Sequence, residues 1–260
     1  MEDLALIEAA ARDAGRLAMR MKAEGLKVWS KDGGSPVTDA DMAVDKLLRE
    51  ELGAARTDYG WLSEETADDP ARLALSRLFV VDPIDGTVAF FKEKPWWAVS
   101  IAVVEDGQPV VAVLHAPELD ETFTATVGGG AFLNGAPIHA SACGAVEGCG
   151  MLGDGPMFRH PAWPTPWPEM RIETRNSIAY RMCLVADGRF DAAIALTPKN
   201  EWDLAAADLI CREAGALVTD HKGRSYSYNR PDPTEPSLIC AAPDLHPLIL
   251  ERVRHIERRT

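Results

Sequence analysis

The most constraining stretch of the sequence is LFVVDPIDGT, residues 78–87, in which an apolar run stops at two aspartates. Four consecutive apolar residues predict a buried strand over 78–81. Pro83 cannot donate a hydrogen bond to a strand ladder, and Gly86 permits a tight turn, so strand pairing is expected to stop here. The strand therefore delivers Asp82 and Asp85 to a crevice beyond its end.

The sequence on either side of this strand alternates between helical and strand patterns. Apolar residues recur at helical spacing over 3–23, and Thr38 with Asp41 three residues later is typical of a capping box at a helix start. The further predicted elements, in chain order, are a loop over 31–37, a short helix from Thr87, β structure over 97–127, turns over 128–138, an irregular segment over 160–170, a helix ended by Gly188, a strand over 190–196, a helix from 201 ended by Gly215, and a final helix over about 246–258. This order predicts a layered α/β protein with mixed sheets.

We expect two halves that form one compact catalytic unit. An N-terminal half, residues 1–140, carries most of the acidic motifs, and a C-terminal half, residues 141–260, carries the motif EWD at 201–203. The seam between them is expected near residues 135–150, where meandering β patterns give way to alternating α and β patterns. The chain has 260 residues, 47% of them apolar, which is enough for one large core or two smaller ones.

Charge and cysteine content exclude several classes of partner. The chain has 27 Lys and Arg against 40 Asp and Glu, a formal net charge of −13, and such a surface repels nucleic acid polymers and anionic membranes. No apolar stretch approaches the roughly 18–20 residues of a membrane span. Five cysteines without a C-x-x-C, together with an acidic amphipathic start in place of a signal peptide, predict a reduced, cytoplasmic protein.

Acidic residues recur in motifs that are distant in the sequence and that folding could bring together. Asp82 and Asp85 close the strand, and Glu64 follows a short apolar stretch in WLSEET. Asp203 lies in the first turn of a predicted helix, and Asp41 lies near the start of another. Each has an ordinary interpretation as a turn residue, an exposed acid, a helix-dipole partner or a capping residue. Their conjunction predicts a metal site, and oxygen ligands favour Mg²⁺ over Ca²⁺ or Mn²⁺.

The spacing of the two aspartates also favours one kind of phosphate chemistry over another. The motif D-x-D-G-T is typical of phosphatases with an aspartate nucleophile, but here the spacing is D-x-x-D-G-T, and Pro83 occupies the place of the nucleophile. A phosphoaspartate mechanism is therefore disfavoured, and hydrolysis by a metal-activated water is expected. The helix predicted from Thr87 would point its free backbone N–H groups at a phosphate held there.

Six stretches of the sequence together resemble the inositol monophosphatase family, whose members are Mg²⁺-dependent and typically lithium-sensitive phosphatases. They are SPVTDAD, WLSEE, VVDPIDGT, GGGAFLNG, MCLVADG and EWDLAAADLICREAGA, and they run in family order from about residue 35 to residue 220. The pairing of DPIDGT with the downstream W-D motif is highly specific. The resemblance implies an αβαβα sandwich, commonly a homodimer, that hydrolyses a small phosphorylated metabolite as a phosphoric monoester hydrolase.

The resemblance also implies a set of metal ligands. One Mg²⁺ would be held by Glu64, Asp82 and the backbone carbonyl of Ile84. The second would be held by Asp82, Asp85 and Asp203, and Glu64 would also contact a third, loosely held ion. Bridging carboxylates can keep two ions about 4 Å apart, where they clamp the entering and leaving oxygens.

Catalytic and substrate-binding roles follow from the same resemblance. Thr87, with Asp41 behind it, would orient or deprotonate the attacking water, and Glu64 would complete the catalytic group. The backbone N–H groups of Gly86 and Thr87 would receive the phosphate oxygens. The expected substrate-binding residues are Asp85, Gly86, Thr87 and Asp203.

Two departures from the family pattern bear on the substrate. Asn176 precedes Ser177 where the family often has glycine, and Leu196 stands where members specific for inositol carry a glutamate, seven residues before Asp203. A hydrogen bond from this position to an inositol hydroxyl is therefore in doubt, because Leu196 cannot make it and Glu201 lies elsewhere in the sequence. FFKEKPWWAVSIAVVEDG and the spelling EWD resemble instead the branch that hydrolyses 3′-phosphoadenosine 5′-phosphate.

Two substrate classes and one non-enzymatic class therefore remain open. The substrate is an inositol or other polyol monophosphate, or a nucleotide of the 3′-phosphoadenosine 5′-phosphate type. A second phosphate would need extra cations, for which the candidates are Lys92, Lys94, Arg175, Arg181 and Lys199. The alternative is a catalytically silent binding or scaffold homologue, but such a protein would be expected to have lost a carboxylate.

Overall fold

A computed structural model describes residues 2–31 and 34–257 of the chain. The α-helices of this part are α1 (Glu2–Glu24), α2 (Asp39–Ala55), α3 (Thr87–Phe91), α4 (Gly155–Phe158), α5 (Ile178–Ala186), α6 (Glu201–Glu213) and α7 (His246–Val253). None of these helices is both long enough and apolar enough to cross a membrane.

The strands of the described residues belong to two large sheets and two sheets of two strands each. They are β1 (Val28–Ser30), β2 (Pro36–Thr38), β3 (Gly60–Ser63), β4 (Arg77–Asp85), β5 (Ala98–Glu105), β6 (Gln108–Ala116), β7 (Glu121–Thr126), β8 (Gly130–Leu133), β9 (Ala136–Pro137), β10 (Gly150–Leu152), β11 (Arg171–Glu173), β12 (Ala192–Ala195), β13 (Lys199–Asn200), β14 (Leu217–Thr219), β15 (Thr234–Glu235) and β16 (Leu238–Ala241).

Both large sheets mix parallel and antiparallel pairs. The seven-stranded sheet has the order β3-β4-β5-β6-β7-β8-β9, in which β3 and β4 are parallel and the other neighbours are antiparallel. The five-stranded sheet has the order β11-β10-β12-β16-β14, with parallel pairs around β10 and antiparallel pairs around β16. The two-stranded pairs are β1 with β2, and β13 with β15.

Three apolar clusters hold these sheets and helices in five layers. Helices α1 and α2 cover one face of the seven-stranded sheet, α5 and α6 lie between the two sheets, and α7 covers the outer face of the five-stranded sheet. Strand β4 contributes to two of the clusters, because Leu78 and Val80 face α5 and α6 while Phe79 and Val81 face α1 and α2. The predicted αβαβα sandwich is confirmed.

Helices α1 and α2 form where the sequence pattern predicts them. The buried face of α1 includes Ile7, Ala11 and Ala18, which recur at helical spacing. Helix α2 begins with the predicted capping box, since the Thr38 hydroxyl accepts backbone N–H groups while the Asp41 carboxylate accepts the Thr38 N–H at 2.8 Å. Such a cap contributes about 1 kcal/mol to helix stability.

Several predicted boundaries are wrong. Residues 130–133, expected to be turn, form β8, because pairing with β7 overrides the weak strand preference of glycine. The predicted loop over 31–37 contains β2 at its end, and residues 32–33 of it lie outside the described part of the chain. Strand β4 runs on to Asp85 through a shift in register. Helix α7 ends at the buried residue Val253, earlier than predicted. Residue 258, the predicted end, lies outside the described residues.

Two helical glycines allow a matched test of this packing. A Cβ at Gly15 of α1 would lie 2.7 Å from Pro117 Cγ and 2.8 Å from His115 Cδ2, whereas a Cβ at Gly53 of α2 would meet nothing within 4 Å. We expect Gly15→Ala to lower the free energy of unfolding by about 1–3 kcal/mol, because overpacking outweighs the gain in helix propensity. Gly53→Ala should raise it by about 0.5–1 kcal/mol.

Denaturant unfolding of both variants measures the difference. If Gly15→Ala is as stable as Gly53→Ala, the close contact of α1 with His115 of β6 and with Pro117 is not a constraint on the fold.

Candidate active site

Strand β4 ends in an irregular turn that carries both aspartates of DPIDGT. Its pairing with β5 shifts register between Asp82, opposite Ser100, and Asp85, opposite Ala98. The side chains of both aspartates are buried, and the backbone N–H of Ile84 donates to Asp82 Oδ1 at 3.0 Å. The turn therefore presents two carboxylates close together at the edge of the core.

Asp85 is fixed by the start of helix α5 in the C-terminal half. Its carboxylate accepts the Ser177 hydroxyl at 2.5 Å and the backbone N–H groups of Ile178 at 3.2 Å and Ala179 at 2.7 Å. Gly86 makes this approach possible, because it has a φ of +92° and a Cβ there would lie 3.0 Å from the Ser177 nitrogen. The turn after β4 is thus locked against α5.

Asp203, in the first turn of α6, joins the same two aspartates. Its carboxylate accepts the backbone N–H of Asn200 at 2.8 Å. One carboxylate oxygen from each of Asp82, Asp85 and Asp203 lies within 4.8 Å of the other two. We call these three side chains the aspartate cluster. They come from distant parts of the chain, and their oxygens offer a cation hard ligands.

The electrostatics of the aspartate cluster favour a bound cation. Burial raises the pKa of Asp82 well above its usual range, and the charges of Glu64 and Asp85 raise it further. Burial also raises the pKa of Asp85 to about 6, against the hydrogen bond from Ser177, and burial with the charge of Asp85 raises the pKa of Asp203 to about 7. Like charges in a buried site repel, so a divalent cation among them removes the penalty. The donors present fit Mg²⁺.

Thr87 and Asp41 form a pair beside the cluster. The Thr87 hydroxyl lies 3.1 Å from Asp41 Oδ1 and 3.2 Å from the carbonyl oxygen of Ile84, so its single proton has two acceptors. Asp41 is held from behind, because Thr38 donates both its N–H and its hydroxyl to Asp41 Oδ2. Burial raises the pKa of Asp41. A carboxylate in this position can accept a proton through the threonine hydroxyl.

Glu64 lies alongside the cluster and not within it. The residue follows β3, where its N–H donates to the Val81 carbonyl at 3.3 Å. Its carboxylate accepts the Lys31 ammonium at 3.0 Å, and the same ammonium donates to Glu65 at 2.6 Å. Burial raises the pKa of Glu65 to about 7, although Lys31 acts in the opposite direction. The structure therefore brings Asp82, Asp85 and Asp203 together, and it pairs Glu64 with a lysine.

Sequence reasoning did not identify Lys31 or the bond between Ser177 and Asp85 as parts of this site. Neither has a local signal, because the partners lie 33 and 92 residues apart in the chain. A threonine or serine one residue before a helix is a signal for a cap, but the Ser177 hydroxyl both accepts the Tyr180 N–H and donates to Asp85. The site is therefore larger than its acidic motifs.

The cations suggested for a second phosphate occupy different surroundings. Arg175 stacks 4.5 Å above the Trp96 ring and pairs with Glu173, and half-buried Arg181 donates to the Arg175 carbonyl. Lys199 donates to the Thr197 hydroxyl at 3.0 Å and to a neighbouring carbonyl, and its charge opposes the raised pKa of Asp203. Two of these cations interact electrostatically with the aspartate cluster: Lys199 lowers the pKa of Asp203, and the charge of Asp85 acts to raise the pKa of Arg181.

The remaining two candidate lysines and the tryptophans nearby add little to the site. Lys92 and Lys94 are exposed. Trp97 is fully buried, stacks edge-on against Phe90 with ring centroids 4.7 Å apart, and donates to Glu118, so it is a core residue.

Comparison with known proteins agrees with the fold and with the family that the motifs resemble. Residues 2–258 match the Inositol monophosphatase family. The chain is 36% identical over 235 residues to a histidinol-phosphatase of Mycobacterium tuberculosis, covering 85% of this chain and 88% of that one. It is 35% identical over 227 residues to an inositol-1-monophosphatase of Mesorhizobium japonicum, covering 82% and 84%.

A solved structure of a Thermotoga maritima IMPase superposes with a TM-score of 0.85 at 30% identity, covering 97% of each chain. The protein belongs to the inositol monophosphatase family, as the sequence motifs predict, and it is a phosphoric monoester hydrolase.

The raised pKa values predict how metal-free protein responds to pH. Asp85 and Asp203 have pKa values of about 6 and about 7 in the folded protein. Both residues therefore bind a proton more tightly in the folded state than in the unfolded state. The free energy of unfolding without metal should therefore fall as pH rises from about 4 to about 7. Added Mg²⁺ should stabilise the protein more at pH 8 than at pH 5, since protons compete with the ion at low pH.

Thermal unfolding at both pH values, with chelator and with Mg²⁺, checks this. Burial also raises the pKa of Asp208 to about 6, but this residue lies outside the cluster. Its effect on stability should be the same with chelator and with Mg²⁺, so it cancels from the difference between the two conditions. Equal stabilisation by Mg²⁺ at both pH values would contradict the assignment.

Proposed function

We propose that the protein is a Mg²⁺-dependent phosphomonoesterase that hydrolyses a small phosphorylated metabolite with an activated water. The observation that carries the proposal is the aspartate cluster, in which buried Asp82 and Asp85 and half-buried Asp203 lie with one oxygen each within 4.8 Å of one another, and which has the pair of Thr87 and Asp41 beside it. A catalytically silent binding homologue would have no reason to keep an intact cluster with raised pKa values. The intact cluster therefore favours catalysis.

The proposed ligand set uses residues that lie in or beside the cluster. Glu64, Asp82 and the carbonyl of Ile84 would hold one Mg²⁺, and Asp82, Asp85 and Asp203 would hold a second. Two ions, when bound, would stabilise charge on the attacking and leaving oxygens of the phosphate. A third ion at Glu64 is the weakest member of the set, because Lys31 donates to that carboxylate at 3.0 Å and competes with a cation.

The chain's own residues supply the rest of the chemistry. Thr87 can donate its proton to Asp41 and accept a hydrogen bond from the attacking water, which orients the water toward the phosphorus. Asp41 is buried and held by Thr38, so it keeps Thr87 in this orientation. The backbone N–H groups at the start of α3, those of Gly86 and Thr87, would bind the phosphate oxygens beside Asp85 and Asp203.

Two observations weigh against an inositol phosphate as the preferred substrate. Leu196, in the place of the glutamate that grips a hydroxyl, is apolar and packs against the outer apolar cluster. Glu201 cannot replace that glutamate, because its buried carboxylate already accepts the backbone N–H groups of Asn229 at 2.7 Å and Arg230 at 3.1 Å. We therefore place a nucleotide of the 3′-phosphoadenosine 5′-phosphate type ahead of inositol phosphates.

Histidinol phosphate enters as a further candidate because histidinol-phosphatases are among the most similar relatives. Relatives named for other substrates also occur, including a bisphosphate nucleotidase of Aggregatibacter actinomycetemcomitans that is 28% identical over 232 residues, covering 85% of each chain. A phosphatase assay with inositol 1-phosphate, 3′-phosphoadenosine 5′-phosphate, fructose 1,6-bisphosphate and histidinol phosphate tests the proposal. Turnover should require Mg²⁺ and stop with chelator, and turnover that persists without any divalent ion would overturn it.

The remaining expectations stay predictions. They are a homodimer, a cytoplasmic location, and a division into residues 1–140 and 141–260. Three of the proposed ligands, Glu64, Asp82 and Asp85, belong to the first of these ranges and Asp203 to the second, so the two ranges would act as one catalytic unit.

Asp85→Asn tests the second ion site. The substitution keeps the size of the side chain but removes the charge that would hold the ion near the leaving oxygen. We expect kcat to fall by about 10²-fold or more, the scale of losing a preorganised charge-stabilising group. Stability should change little, because weaker capping of α5 and relief of carboxylate repulsion act in opposite directions.

Ser177→Ala is the control, because it removes one hydrogen bond to Asp85 and leaves the carboxylate. Steady-state kinetics and thermal unfolding of both variants show whether Asp85 serves the ion site. If Asp85→Asn unfolds readily and its folded fraction turns over normally, Asp85 is only a helix cap.

Lys199→Ala tests the preference for a second phosphate. The ammonium lies near the aspartate cluster, so removing it should weaken kcat/KM for 3′-phosphoadenosine 5′-phosphate by about tenfold more than for a monophosphate, which corresponds to one charged hydrogen bond. Lys46→Ala, on an exposed part of α2, is the matched control. Equal losses for both substrates would remove Lys199 from this role.

A further inference from the structure

A segment outside the proposed ligand set connects the two halves of the chain next to α6. Residues 226–235, which we call the strap, run between the turn after β5 and helix α6. The Tyr228 N–H donates to the Gly107 carbonyl at 3.0 Å in the N-terminal half. The Tyr228 hydroxyl donates to Asp208 of α6 at 2.9 Å. The strap is therefore bonded to both halves.

The strap is bonded most closely to the residues that precede Asp203. Glu201, the first residue of α6, is fully buried, and its carboxylate accepts the N–H groups of Asn229 at 2.7 Å and Arg230 at 3.1 Å. Its own N–H donates to the Pro233 carbonyl at 2.8 Å. A buried carboxylate is costly unless it is hydrogen-bonded, so these bonds fix the strap and the start of α6 to each other.

Asn229 extends the network into the N-terminal half. Its backbone has a φ of +60°, a conformation that asparagine tolerates better than most residues. Its side chain accepts from Arg72 Nη1 at 2.7 Å and donates to the Arg72 carbonyl at 3.2 Å. Arg72 is buried and also donates to the Arg230 carbonyl at 2.9 Å. Arg72 lies in the segment that follows Glu64.

The last link joins the strap to the aspartate cluster. Asn200 pairs with Thr234 of the strap in the two-stranded sheet of β13 and β15. The Asn200 N–H then donates to Asp203 Oδ2 at 2.8 Å. The donor residue itself is thus paired with Thr234 of the strap, and the residue after it is held by the strap through the Glu201 carboxylate.

We infer that Glu201, held by the strap and by Arg72, is a positioning residue that sets the Asp203 carboxylate for metal binding. It touches neither the substrate nor the ion and acts through the backbone of Asn200. The inference rests on the proposed metal role of Asp203, but it depends on neither the substrate nor turnover. Hydrogen-bonding partners of metal ligands commonly change metal affinity by about 10–100-fold.

The test compares two buried carboxylates of α6 that both bond to the strap. Glu201→Gln disturbs the bonds beside Asp203, and Asp208→Asn disturbs the bond to Tyr228 five residues further along the helix. Mn²⁺ binding, followed by the electron paramagnetic resonance of the free ion, is measured without substrate, along with thermal unfolding in chelator. We expect both variants to be less stable, Glu201→Gln to bind Mn²⁺ about tenfold more weakly or worse, and Asp208→Asn to bind it as the wild type does.

Equal losses of Mn²⁺ affinity in the two variants, or no loss in Glu201→Gln, would overturn the inference. If Glu201→Gln does not fold, Arg72→Lys replaces it, since lysine keeps the charge but not the two-pronged contact with Asn229 and Arg230. A smaller loss of affinity in the same direction supports the inference, and unchanged affinity overturns it. Wild-type protein that binds Mn²⁺ yet hydrolyses no phosphate ester would overturn the proposed function and not the role of Glu201.

Discussion

The rest of the structure depends on the close approach of three carboxylates, two of them buried and one half-buried. Asp82, Asp85 and Asp203 repel one another when charged, and burial adds to the penalty, as their raised pKa values show. Each carboxylate accepts at least one backbone N–H: Asp82 from Ile84, Asp85 from Ala179 and Asp203 from Asn200. These hydrogen bonds offset part of the cost of burial and repulsion. These donors lie at the turn of β4 and at the starts of α5 and α6, so the elements that meet here are oriented by the acids.

Ordinary structural roles and chemical roles coincide at these positions. Asp41 completes a capping box with Thr38 through one oxygen and meets the Thr87 hydroxyl with the other. Asp85 accepts N–H groups at the start of α5, and Asp203 lies in the first turn of α6, where a helix dipole favours a negative charge. Helix starts stabilise a carboxylate without neutralising it, which leaves its charge available to a cation.

The sequence allowed the parts of the site with a local signal to be predicted. The apolar run before Asp82, the capping box at Thr38 and the helix after Glu201 are patterns of a few residues, and the structure has an element at each. The contacts of Glu64 with Lys31, of Asp85 with Ser177 and of Glu201 with the strap could not be predicted. Each joins residues 28 or more positions apart, so it follows from the packing of the sheets and not from neighbouring residues.

The central claim is that the aspartate cluster holds the catalytic metal ions, and anomalous diffraction from crystals soaked in Mn²⁺ tests it most directly. We predict a strong anomalous peak between the carboxylates of Asp82, Asp85 and Asp203, and a second on the side of Glu64 and the Ile84 carbonyl. Mn²⁺ is a suitable probe because it accepts the same oxygen ligands as Mg²⁺. Crystals of active enzyme with Mn²⁺ bound only elsewhere, and none at the cluster, would contradict the account.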